Sequence, residues 1–144
     1  MHTQRFGFNT GTISLLFGFL FLAACGKDNS TPGGSNAPAA GTWEITYFFD
    51  KQDKSSNYTG YTFEFNSDGF LIAQNGGQTW NGTWSTDCDD SANKFCIFFN
   101  SSVPSALEEL EEDWRIVKME SAFMHFEHTS GGNGDTDIVH FTKQ

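Results

Sequence analysis

From residue 41 to the end of the chain, apolar and polar residues alternate with a period of two, interrupted by turns rich in Gly, Asn and Asp. This period is typical of half-buried β-strands. The first predicted strand runs from Thr42 to Asp50 and alternates through Trp43, Ile45, Tyr47 and Phe49. The same pattern predicts further strands at residues 61–66, 70–74, 78–86, 95–100, 114–120, 122–129 and 136–142.

One segment, residues 104–112, has a helical period instead. Leu107 and Leu110 share one face of this segment, and glutamates occupy the other. We therefore expect one short helix before the last three strands, with its acidic face in solvent.

The predicted strands are short, antiparallel and joined by short connections, so the fold class is all-β. A sheet of about eight strands tends to close on itself, because closure removes its exposed edges. We expect an eight-stranded antiparallel up-and-down barrel, whose interior is filled by side chains or holds one small ligand. A two-sheet sandwich would show the same periodicity and remains an alternative at this point.

The amino-terminal region carries an apolar run from Ile13 to Ala24. It is shorter than the roughly 20 residues that a membrane-spanning helix needs. It follows Arg5 and ends in small residues, as secretory signal peptides do. The residues Leu22-Ala23-Ala24-Cys25 resemble the lipobox of bacterial lipoproteins. The resemblance implies that residues 1–24 are a cleaved signal peptide and that Cys25 carries acyl chains such as palmitate, several of which anchor a protein stably.

Residues 25–40 are rich in Gly, Ser, Pro, Asn and Ala and have no periodicity. We expect a flexible tether between Cys25 and a barrel domain at residues 41–144. In such lipoproteins an acidic residue directly after the cysteine favours the inner membrane, and this chain has Gly26 there. The expected location is therefore the outer membrane, on its periplasmic or cell-surface face, with the membrane itself as partner of the lipid anchor.

The composition excludes some classes of partner. The chain has 18 acidic and 8 basic residues, a net charge of −10. Nucleic acids require a basic face, and anionic lipid headgroups attract basic segments, so the domain is expected to bind neither. The acidic surface favours solubility, and we expect a monomer.

Cys88 and Cys96 flank a polar loop between two predicted strands. An extracytoplasmic compartment is oxidising, so the two could form a disulfide. The alternation of the later strand places Cys96 on the face opposite Phe95, so a bridge requires a bulge or an irregular loop end. Both the bridged and the free form remain open. In the same loop, Asp90-Ser91-Ala92 resembles an acceptor sequence for O-glycans in Bacteroidetes.

The order of the motifs resembles the lipocalin-like lipoproteins of the Bacteroidetes. Gly41-Thr42-Trp43 is similar to the Gly-x-Trp signature of lipocalins, and residues 60–69, 81–85 and an acidic helix running into Asp113-Trp114 follow in order. The resemblance covers residues 41–144 and implies a barrel that could enclose a cavity, without catalytic residues. In lipocalins the Trp packs against a basic residue of a late strand, a part that Arg115 or Lys143 could take.

Sequence support for a metal site or an active site is weak. His125 and Glu127 share a strand face and His140 lies in the next strand, which could suit zinc, but His128 points the other way and no compact ligand motif is present. Residues 133–137 offer oxygen ligands for calcium but lack the distal glutamate of an EF-hand loop. Nucleophile elbows, phosphate loops and redox or dinucleotide motifs are absent. We expect no enzyme activity, no metal and no cofactor.

The aromatic residues remain as the candidates for binding. A cavity with few polar groups would bind a small apolar ligand, although the same residues could simply be packed core. We expect either an envelope lipoprotein that binds such a ligand or serves as a non-catalytic binding module, or a surface interaction protein whose filled barrel contacts an envelope protein or a glycan. The residues expected to line a cavity are Trp43, Tyr47, Tyr61, Phe63, Trp80, Trp84, Phe123 and Phe126.

Overall fold

The structure, a computed structural model, describes residues 37–86, 88, 93–131 and 134–144. The predicted signal peptide, Cys25, most of the tether and Ser91 lie outside the described residues. The described chain folds into nine strands, one 3-10 helix and one α-helix. In chain order they are β1 (Thr42–Asp50), β2 (Gln52–Asp53), the 3-10 helix (Ser55–Tyr58), β3 (Thr62–Phe65), β4 (Phe70–Asn75), β5 (Gln78–Thr86), β6 (Lys94–Phe99), α1 (Ser105–Glu108), β7 (Asp113–Met119), β8 (Phe123–Thr129) and β9 (Thr136–Lys143).

All strands except the two-residue β2 form one closed antiparallel ring. From β3 to β9 each strand pairs with the next along the chain, and β1 pairs with both β3 and β9. The pairing of β1 with β9 closes the sheet, which a sandwich of two separate sheets would not do. The prediction of an eight-stranded up-and-down barrel is therefore confirmed.

A β-bulge in β1 reverses the faces that simple alternation predicts. The register with β9 shifts between Ile45 and Tyr47, which makes Thr46 an extra residue on the β1 side. After the bulge Phe48 is buried, at 1% exposure, whereas Tyr47 and Phe49 lie half-buried on the outer face. The prediction that Tyr47 and Phe49 continue the inward face of Ile45 is wrong, because one inserted residue shifts a period of two by half a period.

The predicted helix at residues 104–112 is shorter in the structure, where α1 spans Ser105–Glu108. After α1 the backbone bonds tighten to a three-residue spacing, with the Leu110 amide donating to the Leu107 carbonyl at 3.1 Å. Both leucines are fully buried, as predicted, and the Trp114 indole donates to the Leu110 carbonyl at 3.0 Å. In the described part of the chain, neither helix is long and apolar enough to cross a membrane.

The barrel core is built mainly from aromatic rings. The ring centroid of Phe95 lies 4.6 Å from that of Phe126 and 5.6 Å from that of Trp84, both in stacked geometry. Phe141 meets Phe63 and Phe65 edge-on, at 5.4 and 5.5 Å. Offset and edge-to-face pairs of this kind stabilise the fold by more than the burial of their apolar area alone. The core therefore runs as a continuous aromatic cluster along the barrel.

The two ends of the barrel are closed differently. At the amino-terminal end, residues 37–41 lead into β1, Ala39 packs against the core, and the Trp43 indole donates to the Ala39 carbonyl at 3.0 Å. Lys143 lies directly opposite Trp43 in the ladder, and Gly41, with φ +131°, leaves the space that the Lys143 side chain fills. The opposite end, here called the helical end, carries the 3-10 helix, α1 and the loop between β8 and β9.

Candidate functional site

The structure separates the eight aromatic candidates into three groups. Trp43, Tyr61, Phe63, Trp84 and Phe126 are buried in the core. Trp80 is partly buried and packs at the core edge, 5.8 Å from Tyr61 between ring centroids. Tyr47 and Phe123 lie on the outer face, beside His140. Their prediction as cavity-lining residues is therefore wrong, for Tyr47 because of the bulge and for Phe123 because it alternates with the inward-facing Met124.

The inward-facing candidates pack against other core rings instead of facing open space. Phe63 contacts Phe141, and Trp84 stacks on Phe95. The structure has a surface cleft of about 300 Å³ beside Asp68 and another of about 370 Å³ beside Gly76. None of the eight candidates lines either cleft. A ligand inside the barrel would therefore have to displace packed aromatic side chains.

An outer histidine cluster lies across β1, β9 and β8, and consists of Tyr47, Phe123, His125 and His140. His125 and His140 are opposite each other in the ladder, with ring centroids 4.5 Å apart. Burial lowers the pKa of His140, and the nearby His125 lowers it further. Glu127 Oε1 lies 3.3 Å from His125 Nε2, and Glu127 also pairs with Arg115. The Arg115 side chain is thus paired with Glu127 on the outer face. Of the two basic residues that could pack against Trp43, Lys143 is the one that lies opposite it.

A second cluster lies at the helical end and brings together residues from three segments. It consists of Glu112, just before β7, Asp113 at the start of β7, His128 near the end of β8, and Asp137 in β9. His128 Nε2 lies 3.4 Å from Asp113 Oδ1 and 3.7 Å from Glu112 Oε2, and its Nδ1 lies 3.6 Å from Asp137 Oδ2. Among the described residues, the buried Nδ1 atom has no hydrogen-bond partner. We call these four residues the helical-end cluster.

The surroundings shift the pKa values of two carboxyl groups in the helical-end cluster in opposite directions. Burial raises the pKa of Asp137, and the negative charge of Asp50 raises it further. A hydrogen bond from Lys94 lowers the pKa of Asp113, the Nζ–Oδ2 distance being 2.6 Å. In this cluster the charged form of Asp113 is therefore stabilised by Lys94, whereas the charged form of Asp137 is destabilised by burial.

A lysine-centred ion pair lies next to this cluster. Lys54 donates to Asp50 at 2.7 Å and to Glu109 at 2.9 Å, joining the chain after β1 to the end of α1. Tyr58 is buried at 1% exposure, its ring centroid lies 4.8 Å from that of Phe48, and burial raises the pKa of its hydroxyl. The helical end is thus closed by an apolar layer under a layer of ion pairs.

Sequence reasoning did not find the helical-end cluster. The sequence places Glu112 on the predicted acidic face of the helical segment and Asp113 directly after that segment, and it puts His128 on the same strand as His125. The register of β7 with β8 brings the two acids to His128, and this pairing joins residues far apart in the chain. The sequence did contain one local signal. His125 and His128 are three positions apart on one strand, an odd separation that puts them on opposite faces of the sheet.

The structure joins Cys88 and Cys96 by a disulfide with a Cα–Cα distance of 6.2 Å. Cys96 pairs with Ser85 in the β5–β6 ladder and has 4% exposure although it belongs to the outward-facing set of β6. The bridge therefore connects the outer side of β6 to the loop that follows β5.

Neither a protein-family model nor a curated protein matches this sequence. Among solved structures, the chain is similar to a DUF4847 family protein from Bacteroides vulgatus ATCC 8482, with 19% identity, a TM-score of 0.50, and coverage of 74% of this chain and 95% of that chain. An uncharacterized protein from Bacteroides eggerthii DSM 20697 is 14% identical, with a TM-score of 0.48 and coverage of 73% and 98%. At 19% identity, the first similarity shows a shared fold alone.

Proposed function

We propose that this protein is an outer-membrane lipoprotein whose barrel is a monomeric, non-catalytic binding module that contacts its partners through its outer surface. The observation that carries the proposal is the packed aromatic interior, in which Phe63, Trp84 and Phe126 each contact other core rings. A filled interior leaves the outer surface for recognition. An envelope protein or a glycan is the proposed kind of partner.

The amino-terminal end of the barrel is the end that would lie nearest the membrane. Residues 37–41 enter the fold there, and the proposed lipid on Cys25 precedes them by a short tether. The helical end would therefore point away from the membrane, toward soluble or surface partners.

An exposed aromatic pair offers one contact surface on the outer face. Phe70 on β4 and Phe98 on β6 both lie opposite Thr83 of β5, and each is 55% exposed. Large exposed apolar side chains grouped on one face are typical of interaction sites. Because the chain as a whole carries a charge of −10, a partner with basic or neutral surface is favoured.

Carriage of a small apolar ligand inside the barrel is the second candidate function, and native mass spectrometry distinguishes the two. We expect the purified protein to carry no lipid or other small molecule, and a hydrophobic dye to show no saturable binding. A co-purifying ligand that is lost when Phe126 is replaced by Trp, but not when Phe98 is replaced by Trp, would overturn the filled-barrel proposal.

The membrane anchor is tested separately by Cys25→Ser. We expect this variant to move from the membrane fraction to the soluble fraction, because it can no longer carry the acyl chains. The double variant Cys88→Ala/Cys96→Ala is the matched control and should stay in the membrane fraction. Unchanged membrane association of Cys25→Ser would contradict the lipoprotein proposal.

A further inference from the structure

We propose that Glu112, Asp113 and His128 form a binding site for a divalent transition-metal ion of the zinc class. The proposal goes beyond the proposed binding module and does not depend on it. The three residues come from the segment before β7, from β7 and from β8, and they meet at the rim of the helical end. One imidazole nitrogen and two carboxylates are a donor set that zinc accepts in proteins.

The spacing of the donor atoms suits a shared ion better than hydrogen bonds. The three donor atoms lie within 4.8 Å of one another, and His128 Nε2 is 3.4 and 3.7 Å from its two acidic neighbours. Ordinary N–H···O hydrogen bonds are shorter, at about 2.7–3.2 Å. Ligands bound tetrahedrally at about 2.0–2.1 Å from zinc are separated by roughly 3.3 Å. The two distances from His128 Nε2 to the acidic oxygens are therefore close to the separation of ligands around one ion.

The second nitrogen of His128 supports the same interpretation. Metal-bound histidines usually direct the other ring N–H to a carboxylate, which fixes the tautomer and orients the ring. In this structure Nδ1 faces Asp137 Oδ2 at 3.6 Å and, among the described residues, has no hydrogen-bond partner. Asp137 is thus the carboxylate that Nδ1 faces, at a separation longer than a hydrogen bond, and Nε2 faces the two proposed acidic ligands. The His128 side chain is itself 17% exposed, so it is held in place by its surroundings.

The local charge balance also favours a bound cation. Five acidic side chains meet at this end, and two lysines pair with part of them. Lys54 bridges Asp50 and Glu109, and Lys94 occupies Asp113 Oδ2. Asp113 Oδ1, Glu112 and Asp137 remain for His128 or for a metal ion. Because the Glu112 side chain is 47% exposed, an ion could enter from solvent and keep an open position for water.

The experiment measures metal binding by the full-length chain in detergent, after removal of metal with a chelator. Calorimetric titration with ZnCl₂ should give saturable binding that weakens at least tenfold in His128→Gln and in Asp113→Asn. Asp137→Asn should weaken binding about 10- to 100-fold by removing the carboxylate that His128 Nδ1 faces. His140→Gln is the matched control, because it changes a histidine on the outer face, and it should bind zinc like the parent.

Two further readouts separate a built site from a general acidic surface. Co²⁺ should quench tryptophan fluorescence in the parent more than in His128→Gln, since the Trp114 and His128 ring centroids are 6.1 Å apart. Circular dichroism should show that both histidine variants remain folded. The proposal is overturned if folded His128→Gln binds zinc as tightly as the parent, or if Ca²⁺ binds as tightly as Zn²⁺.

Discussion

At the scale of single residues, the face of the sheet on which a side chain lies decides how much it contributes to the stability of the fold. Phe95 and Phe98 lie on the same strand, β6, with the same chemistry. Phe95 is fully buried and stacks between Trp84 and Phe126, whereas Phe98 is 55% exposed on the outer face. The loss of a ring in the core leaves a cavity as well as lost apolar contact, while the loss of a mostly exposed ring leaves no enclosed cavity and removes less apolar contact.

We therefore expect Phe95→Ala to lower the free energy of unfolding by about 3–5 kcal/mol. The matched variant Phe98→Ala should change it by no more than about 0.5 kcal/mol. Urea denaturation of both variants under identical conditions measures the difference. Equal losses in the two variants would contradict the assignment of Phe95 to the interior.

His140 gives a prediction about pH at the same scale. Burial and the nearby His125 lower its pKa in the folded state below the ordinary value of 6.5. The unfolded chain therefore binds a proton more readily than the folded chain in the window between these two values. Stability should fall as the pH is lowered through that window, and should not change through this group at higher pH.

The replacement of His140 by Gln should flatten this part of the stability curve. Urea midpoints measured from pH 7.5 to 5.5 for the parent and for His140→Gln test the prediction. An identical slope in the two proteins would show that His140 does not cause the loss of stability.

At the scale of elements, the stability of the β5–β6 pair depends on a disulfide as well as on the hydrogen bonds between the two strands. Its connecting segment is closed by the disulfide between Cys88 and Cys96, which are separated by 8 positions in the chain. A disulfide stabilises chiefly by restricting the unfolded chain, and the effect is smaller for a short loop than for a long one. Cys96 belongs to the outward-facing set of β6 and is nevertheless 4% exposed.

Reduction of this bridge should lower the free energy of unfolding by roughly 2–3 kcal/mol, the chain-entropy value for a loop of this length. Urea denaturation with and without a phosphine reductant measures the effect. The double variant Cys88→Ala/Cys96→Ala should be insensitive to the reductant. A parent protein whose midpoint does not respond to reduction would contradict a stabilising bridge.

At the scale of the whole molecule, the pairing of strands around the ring determines where each site lies. The pairing of β1 with β9 places Tyr47 beside His140 and Trp43 opposite Lys143, although these residues come from opposite ends of the domain. The pairing of β7 with β8, which are consecutive along the chain, places His128 near Asp113, and the pairing of β8 with β9 adds Asp137. Each complete cluster therefore draws on three neighbouring strands or segments, and Tyr47 joins the outer histidine cluster only through closure of the ring.

The sequence by itself determined the eight strands of the ring and the all-β class, but not the short β2 or the 3-10 helix. The eight strands depend on local periodicity, and the predicted strand at residues 78–86 matches β5 as observed. The short helix was also predictable, though its length was not, because the Leu110 carbonyl accepts a hydrogen bond from the Trp114 indole instead of one from a continuing helix.

The tertiary structure alone decided the bulge at Thr46, the outward position of Tyr47 and Phe123, and the helical-end cluster around His128. The physical reason is the same in each case. A bulge is fixed by the register of a neighbouring strand, and a cluster of donor atoms is fixed by pairings between distant segments. Neither leaves a periodic trace in the segment that contains it.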